Sequence, residues 1–317
     1  MIQTFRINDV LRCIFLNVPK GPNLAWPRDG FSGTEPPGRG TLWKETLAQR
    51  RNRVTLAQWD GSQLLGLASA SSCTEARVWE LDRLFLPHDN LRFRDASFQR
   101  YEPWESFSLE LLRVLMEEVG RRRAQRVFLR LPSGSPVVSM ARAAGFFPYL
   151  EETVLEGWGR GTEAGAAIPP ASLREKTNQE DHALFQLVTA AAPQSVRVAV
   201  GLTFNQWIDT YDCGRRGRTE WVAGGDGRIT GWLSLTRRRL VTRAEAVAHP
   251  CNPDLWEVLV DSALARKGLL RWLVPEYQER LASLLLSREF HEVARYTMLI
   301  KTLAVPVVDR RMAPVEA

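Results

Sequence analysis

The chain has 317 residues, 44% of them hydrophobic and 25% charged, with a formal net charge of +6. This is an ordinary globular balance, with core material for one large domain or two of about 150 residues each. No apolar run is long enough to cross a bilayer as a helix, and the start MIQTFRINDV lacks the basic-then-apolar order of a secretory leader, so a cytoplasmic protein is expected.

The cysteines Cys13, Cys73, Cys213 and Cys251 are scattered, with no C-x-x-C and only four histidines to join them. Neither a zinc site nor a disulfide framework is expected, and no metal cofactor. The basic residues are nearly all arginine. They cluster in QRRNR, GRRRAQR, GRRGR and TRRRLVTR, at element ends and in turns, without interleaved aromatics. That arrangement argues against a nucleic-acid partner.

In chain order, WDGSQLLGLASAS (59–71) reads as a hairpin, because Asp-Gly between apolar runs is a turn signal. VWELDRLFLP follows as a strand ending at Pro87, and SFSLELLRVLMEEVGRRR as a helix. RVFLRLP alternates at period two. Ser133 to Ser135 can cap the next helix, Pro136 suits its first turn, and Gly145 stops it before FFPYLEETVL resumes as a strand. Residues 156–172, EGWGRGTEAGAAIPPAS, read as a linker.

The same order then returns. GDGRITGWLSLT matches the first hairpin, TRAEAVAHP ends in Pro250, PDLWEVLVDSALARKG is a helix, and LLRWLVPEYQERLASLLLSREFHEVARYTML tracks the terminal unit, with Pro275 for Pro132 and Phe290 for Phe146. The organisation is a tandem duplication: one domain at 1–157, a linker at 158–170, a second domain at 171–308 and a tail at 309–317.

This order, the Asp-Gly hairpins, the proline-ended fourth strands and the ARAAGFFPYLEET junction resemble the GNAT superfamily of acyl-CoA-dependent N-acetyltransferases, over most of both halves. The resemblance implies an α/β fold: two tandem GNAT-like domains, each a twisted mixed β-sheet with helices on both faces. It implies acetyl-CoA as co-substrate, entering a gap between the fourth and fifth strands and pairing with the fourth strand's backbone. That edge is Leu84, Phe85 and Leu86 in the first half and Val247 to His249 in the second. The glycine loop that relatives place after the fourth strand, R/Q-x-x-G-x-G/A, is missing from both halves. Arg92, Arg94 and Arg100, in the first connection, are the side chains placed to hold phosphates instead.

Amide formation from a thioester needs a free-base amine, a stabilised oxyanion and a proton for the departing thiolate. The resemblance implies a carboxylate base on the fourth strand. Glu80 and Asp82 stand two apart and so share a face, and Glu245, like Asp82, lies five residues before the strand-ending proline. At the place of the family's tyrosine acid stand Ala141 and Leu285, with Tyr149 and Tyr277 nearby in sequence. Two readings remain open. One is an N-acetyltransferase acting on a small-molecule or peptide amine, with one half degenerate. The other is a non-catalytic tandem binding module. Chemistry is expected in the first half, which carries the carboxylate pair.

Overall fold

The computed structural model describes residues 2–5, 9, 22–27, 52–60, 63–72, 77–86, 103–161, 172–211, 217–225, 227–238 and 240–304. The first half supplies β1 (Ile2–Thr4), β2 (Arg53–Asp60), β3 (Gln63–Ser72), β4 (Val78–Phe85), α1 (Pro103–Arg121), β5 (Arg126–Pro132), α2 (Pro136–Ala143) and β6 (Phe147–Arg160). The second supplies β7 (Arg174–Glu175), a 3-10 turn (Asn178–Glu180), α3 (Asp181–Ala191), α4 (Gln194–Val200), α5 (Phe204–Tyr211), β8 (Arg218–Ala223), β9 (Gly231–Arg238), β10 (Val241–Ala248), α6 (Leu255–Leu264), β11 (Lys267–Pro275), α7 (Glu279–Ser287) and β12 (His291–Thr302). The expected cap of α2 forms: Ser135 Oγ accepts from the Val137 N–H at 3.3 Å, with Pro136 in the first turn. Among the described residues no helix is long and apolar enough to cross a membrane.

The twelve strands of the described residues join one mixed sheet, in the order β1-β2-β3-β4-β5-β12-β6-β11-β10-β9-β8-β7. Among the described residues, only β4–β5 and β10–β11 are parallel pairs. The halves exchange their last strands. β12 pairs with β5, β6 pairs with β11, and the two exchanged strands pair with each other at the centre. The exchange is symmetric: Pro132 faces Tyr296 as Pro275 faces Glu152. Likewise the Ser133 N–H donates to Arg295 O and the Glu276 N–H to Glu151 O, both at 2.9 Å. Two copies of one unit are thus related by an approximate two-fold between β6 and β12.

The glycine-rich stretch read as a linker begins as a strand. Trp158 to Arg160 remain in β6, with Trp158 opposite Leu269. Gly157 and Gly159 are packing residues: a Cβ on Gly157 would sit 2.7 Å from the Phe290 ring, and one on Gly159 would sit 1.8 Å from Arg266 O. Composition suggests a flexible connector, but close approach of neighbouring groups explains Gly157 and Gly159; the rest of the expected linker, 162–170, lies outside the described residues.

Each half has its own core. In the first, α1 and α2 cover Trp79, Leu81, Leu84, Val127 and Leu129. In the second, α6 and α7 cover Leu233, Leu235, Ala244 and Trp272 on one face. On the opposite face α3 and α5 cover Val222, Trp232 and Val247.

Candidate functional site: two gaps in one sheet

The two parallel pairs begin together and then part. β4 and β5 pair from Val78–Arg126 to Leu81–Leu129, and β10 and β11 from Val241–Leu269 to Ala244–Trp272. Beyond these points each strand continues only on its outer neighbour, which leaves a gap in each half. In β4 the register slips at Asp82: Leu81 faces Ala70 and Arg83 faces Ser69, so Asp82 is an inserted residue with no opposite. A bulge of this kind bends a strand and re-aims side chains. β10 runs on β9 without any such slip. This corrects the correspondence drawn from the prolines. Glu245 faces Ser234 as Arg83 faces Ser69, so its structural counterpart is Arg83, and Asp82 has none.

The first gap, where chemistry was expected, is filled by residues 22–27. Asn23 Oδ1 accepts from the Leu84 N–H at 2.9 Å, and the Leu24 N–H donates to Leu84 O at 2.9 Å. On the other side the Trp26 N–H donates to Arg130 O at 2.9 Å. The Trp26 ring stacks on Tyr296 at 4.4 Å and lies under the Arg130 guanidinium. The backbone of Leu84 is therefore already paired, and the side chains of Leu84, Phe85 and Leu86 are buried in the core. Asp82 is equally committed. It receives Arg53 Nη1 at 3.0 Å, Arg53 Nη2 at 2.5 Å and Ser71 Oγ at 3.3 Å. Glu80 is half-buried opposite Ser71. Arg92, Arg94 and Arg100 lie outside the described residues.

The second gap is bridged by a single side chain. Gln278, which follows β11, donates from Nε2 to Ala246 O at 3.1 Å, while its buried Oε1 has no hydrogen-bond partner among the described residues. A cavity of about 170 Å³ adjoins this bridge. Its walls come from both halves: Arg130, Tyr149 and Glu152 from the first, and Trp207, Trp232, Glu245 and Tyr277 from the second. Arg130 and Glu152 pair at 2.8 Å within the wall. Glu245 takes Arg243 Nη2 at 3.2 Å and is a quarter exposed toward the cavity. Burial first, and the Glu152 carboxylate second, push the Tyr277 hydroxyl far above its ordinary pKa, so its proton stays on Oη through neutral pH.

No protein-family model matches the sequence, and no curated protein matches it. Solved structures do. A GCN5-related N-acetyltransferase from Sphaerobacter thermophilus aligns over 95% of this chain and 95% of its own, at TM-score 0.52 and 14% identity. A Pyrococcus horikoshii protein provisionally assigned as an acetyltransferase aligns over 96% and 90%, at TM-score 0.50 and 13% identity. The chain has the GNAT fold. The expected α/β class and tandem arrangement stand with it.

The GNAT fold implies acetyl-CoA, and the two gaps fit it differently. In the first, an incoming pantetheine arm meets backbone groups already bonded to Asn23 and Leu24. In the second, among the described residues, the strand edge is held by the Gln278 amide, whose carbonyl end lacks a partner and so offers the arm somewhere to pair. A backbone cradle for the phosphates is absent there. The Cys251 N–H donates to His249 Nδ1 at 3.2 Å, the Asn252 N–H to His249 O at 2.8 Å, and the Leu255 and Trp256 N–H groups to Asn252 O and Pro253 O at 3.3 Å. Arg280, at the start of α7, reaches Asp254, just before α6, at 3.3 Å and remains half exposed. Sequence reading missed Asn23 and Gln278. Both are single polar residues outside any periodic run, and only the strands they bridge give them meaning.

Proposed function

We propose that the chain is an acyl-CoA-dependent N-acyltransferase whose working site is the second gap. The observation that supports this reading is the contrast between the gaps: one is stitched by the chain's own backbone, the other opens on a cavity carrying a carboxylate and a protonated phenol. When bound, acetyl-CoA supplies the activated acyl thioester. Ala246 offers its backbone to the pantetheine arm, and Arg280 offers its guanidinium to the phosphates. Glu245 accepts the proton of the incoming ammonium, and Tyr277 Oη holds a proton beside the reacting centre. The first half then serves as scaffold, lending Arg130, Tyr149 and Glu152 to the cavity wall. A second reading, a binding module without chemistry, is favoured at the first half by the Asn23–Trp26 closure.

Calorimetry with acetyl-CoA separates the two. One site per chain is expected, weakened by Arg280→Gln and unaffected by Asn23→Ala. Glu245→Gln should lower turnover by about 10²-fold with acetyl-CoA affinity retained. Two sites per chain would show that the first gap opens. No binding at millimolar acetyl-CoA would leave only the module reading.

A further inference from the structure

The duplication provides an internal control for the strand residues beside the cavity, of which Arg218 and Glu245 line it. In the first half, three strands lay two cross-strand rows on one face: Arg53–Ser71–Glu80 and Thr55–Ser69–Arg83. In the second half the matching rows are Arg218–Thr236–Arg243 and Glu220–Ser234–Glu245. Neighbouring strands lie about 4.8 Å apart, so each row is a continuous strip of side chains. The next row, Val222–Trp232–Val247, packs under α3 and α5, so the second-half rows face the cavity side of the sheet.

Around Arg53, Ser69 and Ser71 the first-half strip is hydrogen-bonded, and a carboxylate closes it. Asp82, the bulge residue, receives both terminal nitrogens of Arg53 and the Ser71 hydroxyl, while Arg53 also reaches Ser69 Oγ at 2.8 Å. Without the bulge, the second half has no residue in that place. The consequences are specific. Arg218 Nε and Nη1, Ser234 Oγ and Thr236 Oγ1 are all buried without a hydrogen-bond partner among the described residues. The Arg218 side chain is 5% exposed and lines the cavity. Its nearest carboxylate, Glu220, stands 3.8 Å away and already accepts from the Tyr211 hydroxyl and from Trp232 Nε1. Leaving buried polar groups unpaired is costly, and a guanidinium most of all.

We infer that this strip binds the carboxylate of a small ligand, which takes the place that the Asp82 side chain holds in the first half. Arg218, on β8, supplies the charge, and Thr236 and Ser234, on β9 between it and Glu245, supply hydroxyl donors. On the acyltransferase reading, which this inference deepens, the acceptor is an aminocarboxylate: its carboxylate lies on Arg218 and its amine faces Glu245. The aromatic residues Trp207 and Trp232 then enclose its carbon skeleton.

Propionate and its neutral analogue propionamide are the probes, titrated calorimetrically into the full chain without acyl-CoA. Propionate should bind in the millimolar range and propionamide at least about tenfold more weakly, since charge-assisted contacts are lost. Arg218→Met should remove the preference while leaving the thermal midpoint unchanged or raised, because Glu220 at 3.8 Å and the Tyr211 ring at 5.0 Å give the buried guanidinium no hydrogen bond to offset its desolvation. Thr236→Asp, which supplies the missing carboxylate from within, should raise the midpoint and abolish propionate binding. Equal binding of the two probes, no propionate binding, or a preference surviving Arg218→Met would overturn the assignment. Acetyl-CoA binding is measured separately, so either idea can fail without the other.

Discussion

Arg53 and Arg218 occupy the same place in two copies of one unit, and a single inserted residue gives them different partners. Asp82 and Arg53 are 13% and 17% exposed at the side chain, so their pairing is largely shielded from solvent. Breaking such a pair from one side leaves an uncompensated charge. Asp82→Asn should therefore cost about 3 kcal/mol, read from urea unfolding. Acetyl-CoA affinity should not change, because the first gap is closed by Asn23 and Leu24 and not by Asp82. A variant with full stability and lost turnover would instead make Asp82 the base, as its place on β4 first implied.

At the scale of the element, the wall of the cavity depends on how α3 begins. The 3-10 turn before it is closed by a capping box: the Thr177 N–H donates to Glu180 Oε2 at 2.8 Å, and Arg174 Nη1 donates to the same oxygen at 2.9 Å. The Arg174 guanidinium, more than any other group, lowers the Glu180 pKa from 4.5 to about 2. A depressed carboxylate stabilises the fold above its unfolded pKa and loses that contribution as pH falls through the folded value. Stability should accordingly decline between about pH 4.5 and pH 2, and Glu180→Gln should flatten the decline. Arg174 is half exposed, so the effect is modest and shrinks in salt. Leu184 and Val188 of α3 line the cavity, so loosening this cap should also weaken ligand binding there.

For the whole molecule, strand exchange makes each half incomplete. β5 and β11 each lack an inner neighbour until the other half supplies β12 or β6. Exposed strand edges invite pairing with another chain. Residues 1–161 expressed alone should dimerise, the β6 of one copy taking the place of β12 in the other. Mixed with residues 172–317, they should give a one-to-one complex that runs as the intact chain does in sedimentation. Two stable monomeric halves that ignore each other would contradict the exchange.

Local patterns were enough to see the duplication and to locate the fourth strands and the helices after them, because period-two runs and the Ser-Pro helix start act within a few residues. The resemblance built on them led to the gaps and to Glu245. Which strand lies beside which was beyond their reach: β6 and β12 read as ordinary last strands, and nothing local says that they change places. The same is true of the Asp82 bulge, visible only as a slip against β3, and of the GWG glycines, whose packing partners Phe290 and Arg266 lie more than a hundred residues away. The closure of one gap by Asn23–Trp26, and a cavity drawing Arg130 and Glu152 from one half and Glu245 from the other, are long-range contacts. They are set by how the sheet is assembled, and assembly is decided by burial and pairing between distant segments, which leave no periodic trace in the chain.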